Sequence, residues 1–460
     1  MKRKEKKSRK WLIVFPVALL ILAVWPVITR FEGTQPVLTL STIPELVGQS
    51  TEIPLTVFDR KSGLRKIWVG ILKDGTETVL YEKTFPKSGI LGSGTIKQVP
   101  VSIEVKPGEL GLSDGLGILR IAAWDYSWRR WWHGNSAYNE YKIRIDTRRP
   151  EIDVLTRFHN IAQGGACLAA YRLSEACNIQ GITVGDNFFP GHSGYVQDDT
   201  IHLALFALRH DQGTNTQIFL TATDFAGNTT RAGLHSNILR KTFATDTIAI
   251  SDKFLNWKMP EFAAEVGSTP DASQLDAFLK VNRELRSQNF ETIKQSCQST
   301  DTRMHWNGAF LQLPRSASRA RFAEKRTYRY KGRIIDHQTH LGIDLASLAQ
   351  SPVPVANTGR VAFTGGLGIY GKTVIIDHGF GLFSLYAHLS RIQVDTDRLV
   401  TQGDIIGNTG MTGMAGGDHL HFSILIHNTF VNPLEWLDAQ WIQNNIANKM
   451  HSIKTRSGHP

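Results

Sequence analysis

Cysteine is scarce in this chain: three in 460 residues, at Cys167, Cys177 and Cys297. No C-x-x-C pair occurs among them, which excludes a Cys-type zinc finger and a dense disulfide framework. Cys167 and Cys177 either bridge a hairpin in an oxidising compartment or stay as two buried thiols. Cys297 then has no partner. Long apolar runs are equally few. Residues 11–29 (WLIVFPVALLILAVWPVIT) carry no charge, and no other stretch approaches that length. Unbalanced charge is modest outside one place. The formal charge is +11, but residues 2–10 alone hold Lys2, Arg3, Lys4, Lys6, Lys7, Arg9 and Lys10 against Glu5. The remaining excess gives no ground for a nucleic-acid partner. It suits an anionic surface or an ordinary solvated one. With 41% apolar and 20% charged residues the chain is not globally disordered.

The apolar run follows the basic run directly. About 20 apolar residues span a bilayer as a helix. The positive-inside rule keeps the basic tail, 1–10, in the cytoplasm and sends everything after Arg30 to the other side. Trp11 and Trp25 suit the two interfaces, while Pro16 and Pro26 bend the helix. A cleaved signal peptide is the competing reading. The apolar core is long for one, and no small-x-small cleavage site follows it. The expectation is a single-pass anchor, 11–29, in the cytoplasmic (inner) membrane.

A length of 460 residues predicts about three further domains. Short β-branched and aromatic runs at 54–58, 66–71 and 119–123 are separated by Gly, Pro, Asn and Asp, which predicts strands. A repeat is visible as well. A strand leads into Asp125-Tyr126-Ser127, and another into Asp224-Phe225-Ala226-Gly227-Asn228. Later strands end in Asp146-Thr147 and Asp246-Thr247. Two copies at about 100-residue spacing predict two tandem immunoglobulin-like β-sandwiches, 36–148 and 149–250. In the first copy Trp128, Trp131 and Trp132 replace small turn residues, as an exposed binding patch or a packed seam. A helical linker is expected over 251–306. Thr269-Pro270-Asp271 looks like a helix start. Leu275, Phe278, Leu279, Leu285, Phe290 and Ile293 recur near helical spacing. The segment 307–438 is β-rich and Gly-rich, with strands predicted at 359–364, 372–378, 382–388 and 419–427. A helix over 436–448 and a polar, frayed tail complete 439–460.

The chemistry sits in three short motifs: His340-Leu341-Gly342-Ile343-Asp344, Tyr386-Ala387-His388-Leu389 and His419-Leu420-His421. A catalytic zinc takes three protein N or O ligands and leaves a fourth position open. Two imidazoles and a carboxylate meet that need. His419 and His421 lie two apart in a run of strand character, so both face one cleft, about 6.5–7 Å apart, while Leu420 and Phe422 face the core. One of the pair can bind metal and the other act beside it. Gly342 offers a tight turn that brings His340 and Asp344 to one ion. His388 is a third imidazole for proton transfer. His337 reads as a surface residue or a support for the first motif. His378 reads as structural, and Tyr386 as a cleft hydrogen-bonder or core.

Residues 330–437 resemble the lysostaphin/LytM-type zinc peptidases, which cut peptidoglycan cross-bridges or stem peptides. HLGIDLA (340–346), SLYAHLS (384–390) and GDHLHFSI (417–424) carry the resemblance, with GDIIGNTGMTG (403–413) before the last. It implies one Zn2+ held by His340, Asp344 and His421. It also implies that His388 and His419 activate water and stabilise the tetrahedral intermediate. The chain departs from the family at Gly416-Gly417-Asp418, where Thr-Gly-Pro is frequent, and this bears on the cleft's shape.

The expected whole is mainly β: one transmembrane helix, two tandem sandwiches, a helical linker and a C-terminal antiparallel-β peptidase domain. The expected function is a zinc metalloendopeptidase acting on peptidoglycan in the periplasm or outside the cell. A non-catalytic LytM-like regulator of cell-wall amidases is the alternative, though such proteins usually lack one or more of the five residues. A zinc-stabilised wall-binding module is a third reading. The segment 301–330 or a sandwich is a candidate cover for the cleft. The bond cut is not readable from the sequence.

Overall fold

The computed structural model describes residues 11–89, 92–267 and 273–456. The basic tail, the expected helix start at Thr269, Pro270 and Asp271, and the last four residues lie outside the described residues. Trp11–Arg30 is a 20-residue helix. Several of its side chains lie outside the described set, and among the described residues no helix is long and apolar enough to cross a membrane. The chain divides into two compact units: Met1–Arg149 with Thr223–Thr229, and Pro150–Ala222 with Thr230–Pro460.

The first unit holds two sheets. Val37–Leu40, Thr51–Phe58 and Gln98–Val105 form one. Five strands form the other, with Gly115–Asp125 between Ser136–Ile145 and Leu64–Lys73. Alternation sets the packing, because successive strand residues face opposite sides. Ile53, Leu55 and Val57 turn inward, and Val101 and Ile103 face them across the strand pair. Ile67, Val69, Leu119, Ile121 and Ile143 of the five-stranded sheet complete one core. Each such side chain contributes about 1.5–3 kcal/mol on burial.

The sequence repeat has a structural counterpart in this unit. Asn135 donates from its backbone N–H to Asp125 Oδ1 at 2.7 Å and from Nδ2 to Oδ2 at 2.8 Å. Asn228 makes the same pair of bonds to Asp224, both at 2.8 Å. Each Asn then clamps an incoming strand through Nδ2, to the carbonyls of Glu32 and Thr34 in one copy and of Asp146 and Arg148 in the other. The ten-residue loop of the first copy carries the tryptophans. Trp131 and Trp132 are exposed, and Arg130, Trp131 and Trp132 all have positive φ.

In the second unit, Ala166–Leu173 pairs with Ile201–Ala207 and Ile152–Val154. Cys167 and Cys177 form no disulfide, and Lys449 Nζ lies 3.3 Å from the Cys167 sulfur. Thr245–Ile250 pairs in parallel with Glu324–Tyr330, which in turn pairs with Arg333–His340. Helices intervene at Asp252–Lys258, Gln274–Lys280 and Arg286–Ser296. The first two start at serine N-caps, Ser251 and Ser273, each accepting a backbone N–H. Phe278, Leu285 and Ile293 are buried as the helical spacing predicts, whereas Phe290 is half-exposed.

An eight-stranded sheet follows. Its centre is Ile343–Ala346, Leu420–Ile426, Leu382–Leu389, Lys372–Asp377 and Gly359–Gly366, in that order and antiparallel. Every residue of Leu382–Leu389 and of Leu420–Ile426 is buried. Helices Pro433–Leu437, Ala439–Ile442 and Asn448–Arg456 close the chain. The tail expected to fray from residue 451 is helical to Arg456, because Met450 and Ile453 are buried against the core.

Candidate metal centre

Strand register assembles the site. Asp344 sits opposite His421 across the Ile343–Ala346 and Leu420–Ile426 pair. His421 in turn sits opposite Ala387, which places His388 alongside. His340 ends its own strand, Arg333–His340. His419 lies one residue before its strand, bridged to Gly410. Leu420 and Phe422 point into the core, as period two requires. All five predicted residues line one cleft of roughly 370 Å³.

Hydrogen bonds to carbonyls reveal the tautomers, because a carbonyl only accepts. Nδ1 of His340 donates to Arg321 O at 3.0 Å, so Nε2 carries a bare lone pair. Ser423 Oγ donates to Leu341 O at 2.8 Å and so accepts from His421 Nε2 at 3.0 Å. Nδ1 of His421 is therefore bare. His340 Nε2, His421 Nδ1 and Asp344 Oδ1 lie 2.9 Å from one another. With both imidazoles neutral, three acceptor lone pairs meet there. They repel unless a cation sits among them, and a triangle of that size admits an ion at the usual zinc distance of about 2.0–2.1 Å from each. The donor set thus fits zinc. Arg326 donates to the other oxygen of Asp344 at 3.1 Å.

Gly342 serves differently from expectation. Its φ is not positive, so no special turn requires glycine. A Cβ there would lie 2.6 Å from His421 Nε2 and from Ser423 Oγ. Glycine is needed for close approach of backbone to imidazole.

His388 and His419 flank the triangle. His388 Nδ1 donates to Thr412 O at 2.9 Å, and His419 Nδ1 to Gly417 O at 2.8 Å. Each therefore presents Nε2 away from its backbone anchor. Their rings are 4.8 Å apart, and His419 Nε2 is 3.6 Å from Asp344 Oδ1. His388 has φ of 62° beside a register shift in its strand, a strained conformation that re-aims the side chain. Burial, reinforced by His419 and His421, pushes His388 well below the usual imidazole range. Burial also acts on His419, but Asp344 outweighs it and raises that imidazole. Burial opposes the Asp344 carboxylate, yet His340, His419 and His421 hold it well below the usual range. Burial brings His421 down to about 4.

The other histidines separate cleanly. His337 is exposed and bonded to Thr327. His378 is fully buried between Thr358 O and Ser384 Oγ. Tyr386 is core, accepting from Ala356 N–H, and does not line the cleft. In the departing loop, Asp418 accepts from Thr409 Oγ1 at 2.6 Å and from Gln350 N–H at 3.1 Å, which fixes the turn that aims His419. Sequence reasoning missed Ser423 and Arg326. Ser423 had a signal, two residues beyond His421 on the same strand face. Arg326 had none.

A family model described as Peptidase family M23 matches residues 338–433. Residues 338–433 are thus a Peptidase family M23 domain. The DD-carboxypeptidase/endopeptidase Mpg of Neisseria meningitidis serogroup B is 40% identical over 95 residues, 21% of this chain and 22% of that protein. The peptidoglycan DD-endopeptidase ShyA of Vibrio cholerae is 34% identical over 96 residues, again 21% and 22%. The match thus spans about a fifth of the length of these relatives. Among solved structures, a zinc containing peptidase from Vibrio cholerae aligns over 95% of this chain and 98% of its own, at 13% identity and a TM-score of 0.26. Likenesses of that size say nothing of activity.

Proposed function

We propose that this protein is a zinc-dependent endopeptidase that hydrolyses peptide cross-links or stem peptides of bacterial peptidoglycan. The observation that carries the reading is the 2.9 Å triangle of donor atoms on His340, Asp344 and His421, flanked by two anchored imidazoles. The first three would hold the ion. Zinc bound there supplies a Lewis acid and lowers the pKa of coordinated water to about 7.

The remaining work falls to this chain's side chains. His388 Nε2, neutral and unanchored, accepts a proton as general base. His419 Nε2, kept protonatable by Asp344, donates to the oxygen that gains charge or to the leaving amine. Arg326 fixes Asp344 through its second oxygen. Five intact residues disfavour the non-catalytic regulator.

Three further readings belong to the same proposal. Trp11–Arg30 anchors the protein in the inner membrane, supported by an uncharged run that follows seven basic residues. The body lies in the periplasm or outside the cell. The paired sheets of the first unit and the repeated Asp–Asn clamp support immunoglobulin-like modules that carry the catalytic domain.

The test is release of muropeptides from purified peptidoglycan by the detergent-solubilised full chain. Release that disappears with a chelator and in His421→Ala establishes the activity, and product masses name the bond. Zinc-loaded protein that releases nothing, alone or after amidase is added, removes both the endopeptidase and the regulator readings. Release by the amidase alone, when stimulated by this protein, favours the regulator.

A further inference from the structure

Glu32, Asp59 and Asp125 come from three separate parts of the first unit and meet in its interior. Their exposures are 6%, 1% and 0%. One carboxylate oxygen from each lies within 4.8 Å of the other two. Buried ionised carboxylates are costly unless a positive charge accompanies them. Here the hydrogen-bond donors are all neutral. Asp125 accepts from the N–H groups of Ser127 and Asn135 and from Asn135 Nδ2. Glu32 accepts from Thr34 N–H at 2.7 Å and from Ser62 Oγ at 3.0 Å. Asp59 Oδ2 accepts from the Lys61 and Gly63 N–H groups. Asp59 Oδ1 is buried and has no hydrogen-bond partner. Lys97, the cation acting on Asp59, spends its ammonium on Lys61 O.

The repeat supplies an internal comparison. Asp224 and Asn228 perform the same strand clamp as Asp125 and Asn135, and among the described residues Asp224 belongs to no metal-competent group of acids. The clamp therefore does not require Glu32 or Asp59. Something else must account for two more buried acids in the first copy.

We propose that Glu32, Asp59 and Asp125 form a second cation site, for a hard divalent ion of the calcium class, independent of the His340–Asp344–His421 centre. The donors are all oxygen, which favours Ca2+ or Mg2+ over zinc. Oxygens on opposite sides of a calcium ion at about 2.3–2.6 Å stand roughly 4.8 Å apart, and the three carboxylates here each offer an oxygen within that distance of the others.

The site has a clear structural consequence. Ser127 Oγ bonds to Arg30 O and Glu32 O, and Trp128 N–H to Arg30 O. An ion held by Glu32, Asp59 and Asp125 would therefore pin the chain leaving the helix Trp11–Arg30 to two loops of the first unit. It would set the stiffness of that junction, not the chemistry of the cleft.

The experiment uses the full chain, zinc-loaded and freed of calcium, titrated with CaCl2 by calorimetry and followed by thermal unfolding. The expected result is one Ca2+ per chain and a rise in Tm. Asp59→Asn and Glu32→Gln should each weaken binding by roughly tenfold or more and abolish the rise. His421→Ala should bind Ca2+ as the parent does, and Asp59→Asn should release muropeptides at the parent rate in zinc. Should Asp59→Asn fail to fold, Glu32→Gln decides alone. Absence of Ca2+ and Mg2+ uptake by the parent at millimolar concentration overturns the site. Uptake that survives in the folded variants overturns it equally.

Discussion

Nε2 of His421 lies 3.0 Å from Oγ of Ser423, and that hydroxyl donates its own hydrogen bond to Leu341 O at 2.8 Å. The serine thereby decides which nitrogen of His421 faces the metal triangle. Partners of this kind typically alter metal affinity by about 10–100-fold. Ser423→Ala is expected to weaken zinc binding by that factor, with activity recovering at excess zinc. Titration of chelator-stripped protein, read by metal content and by muropeptide release, checks this. A loss that persists at saturating zinc would place Ser423 elsewhere in the mechanism.

On the proposed reading His388 and His419 differ in role from the three donors, and substitution separates the groups. His340→Ala, Asp344→Ala and His421→Ala should each lose bound zinc along with activity. His388→Ala and His419→Ala should keep one zinc per chain and lose about 10²–10⁴-fold in rate, the usual worth of a positioned acid or base. Metal analysis beside muropeptide release distinguishes them. A His388→Ala variant without zinc would make His388 a ligand instead.

The convergence of the five candidate residues on one cleft was legible because its information is local. His340 and Asp344, and His419 and His421, are close in sequence, and strand period alone orients the second pair. The mainly β character was legible for the same reason, through alternation such as Ile53, Leu55 and Val57. What could not be read depends on distant pairing. Nothing in residues 245–250 announces a parallel partner at 324–330, and nothing in Arg326 announces Asp344. The acids at 32, 59 and 125 are unremarkable singly and meaningful only once the loops converge. The helix to Arg456 was hidden because a polar tail needs only Met450 and Ile453 to dock.

Gly342→Ala tests close approach against backbone freedom. The φ at Gly342 suits any residue, so a turn requirement predicts little effect. Contact predicts a large one, since the added carbon would stand 2.6 Å from His421 Nε2 and Ser423 Oγ. Overpacking of this type costs about 1–3 kcal/mol. The expected outcome is a folded protein with lowered Tm and weakened zinc binding. Parent-like zinc affinity would show that His421 moves aside without penalty.

His378 provides the pH prediction, away from the metal centre. It is fully buried, with Nδ1 donating to Thr358 O at 2.8 Å and Nε2 joined to Ser384 Oγ at 2.7 Å. Burial lowers its pKa to about 4, against about 6.5 in an unfolded chain. Between those values the unfolded state binds more protons, so stability rises with pH across the window. The contribution is complete above pH about 6.5 and is lost as pH falls through about 4, in all on the order of 3 kcal/mol. His378→Gln can keep both hydrogen bonds but cannot titrate. The stability difference between parent and variant, measured by denaturant unfolding at a series of pH values, should therefore be flat above about 6.5 and swing toward the variant below it. Other acid-sensitive groups, including the metal ligands, cancel in that difference. Parallel curves for the two proteins would mean that His378 becomes protonated in the folded state as readily as in the unfolded chain.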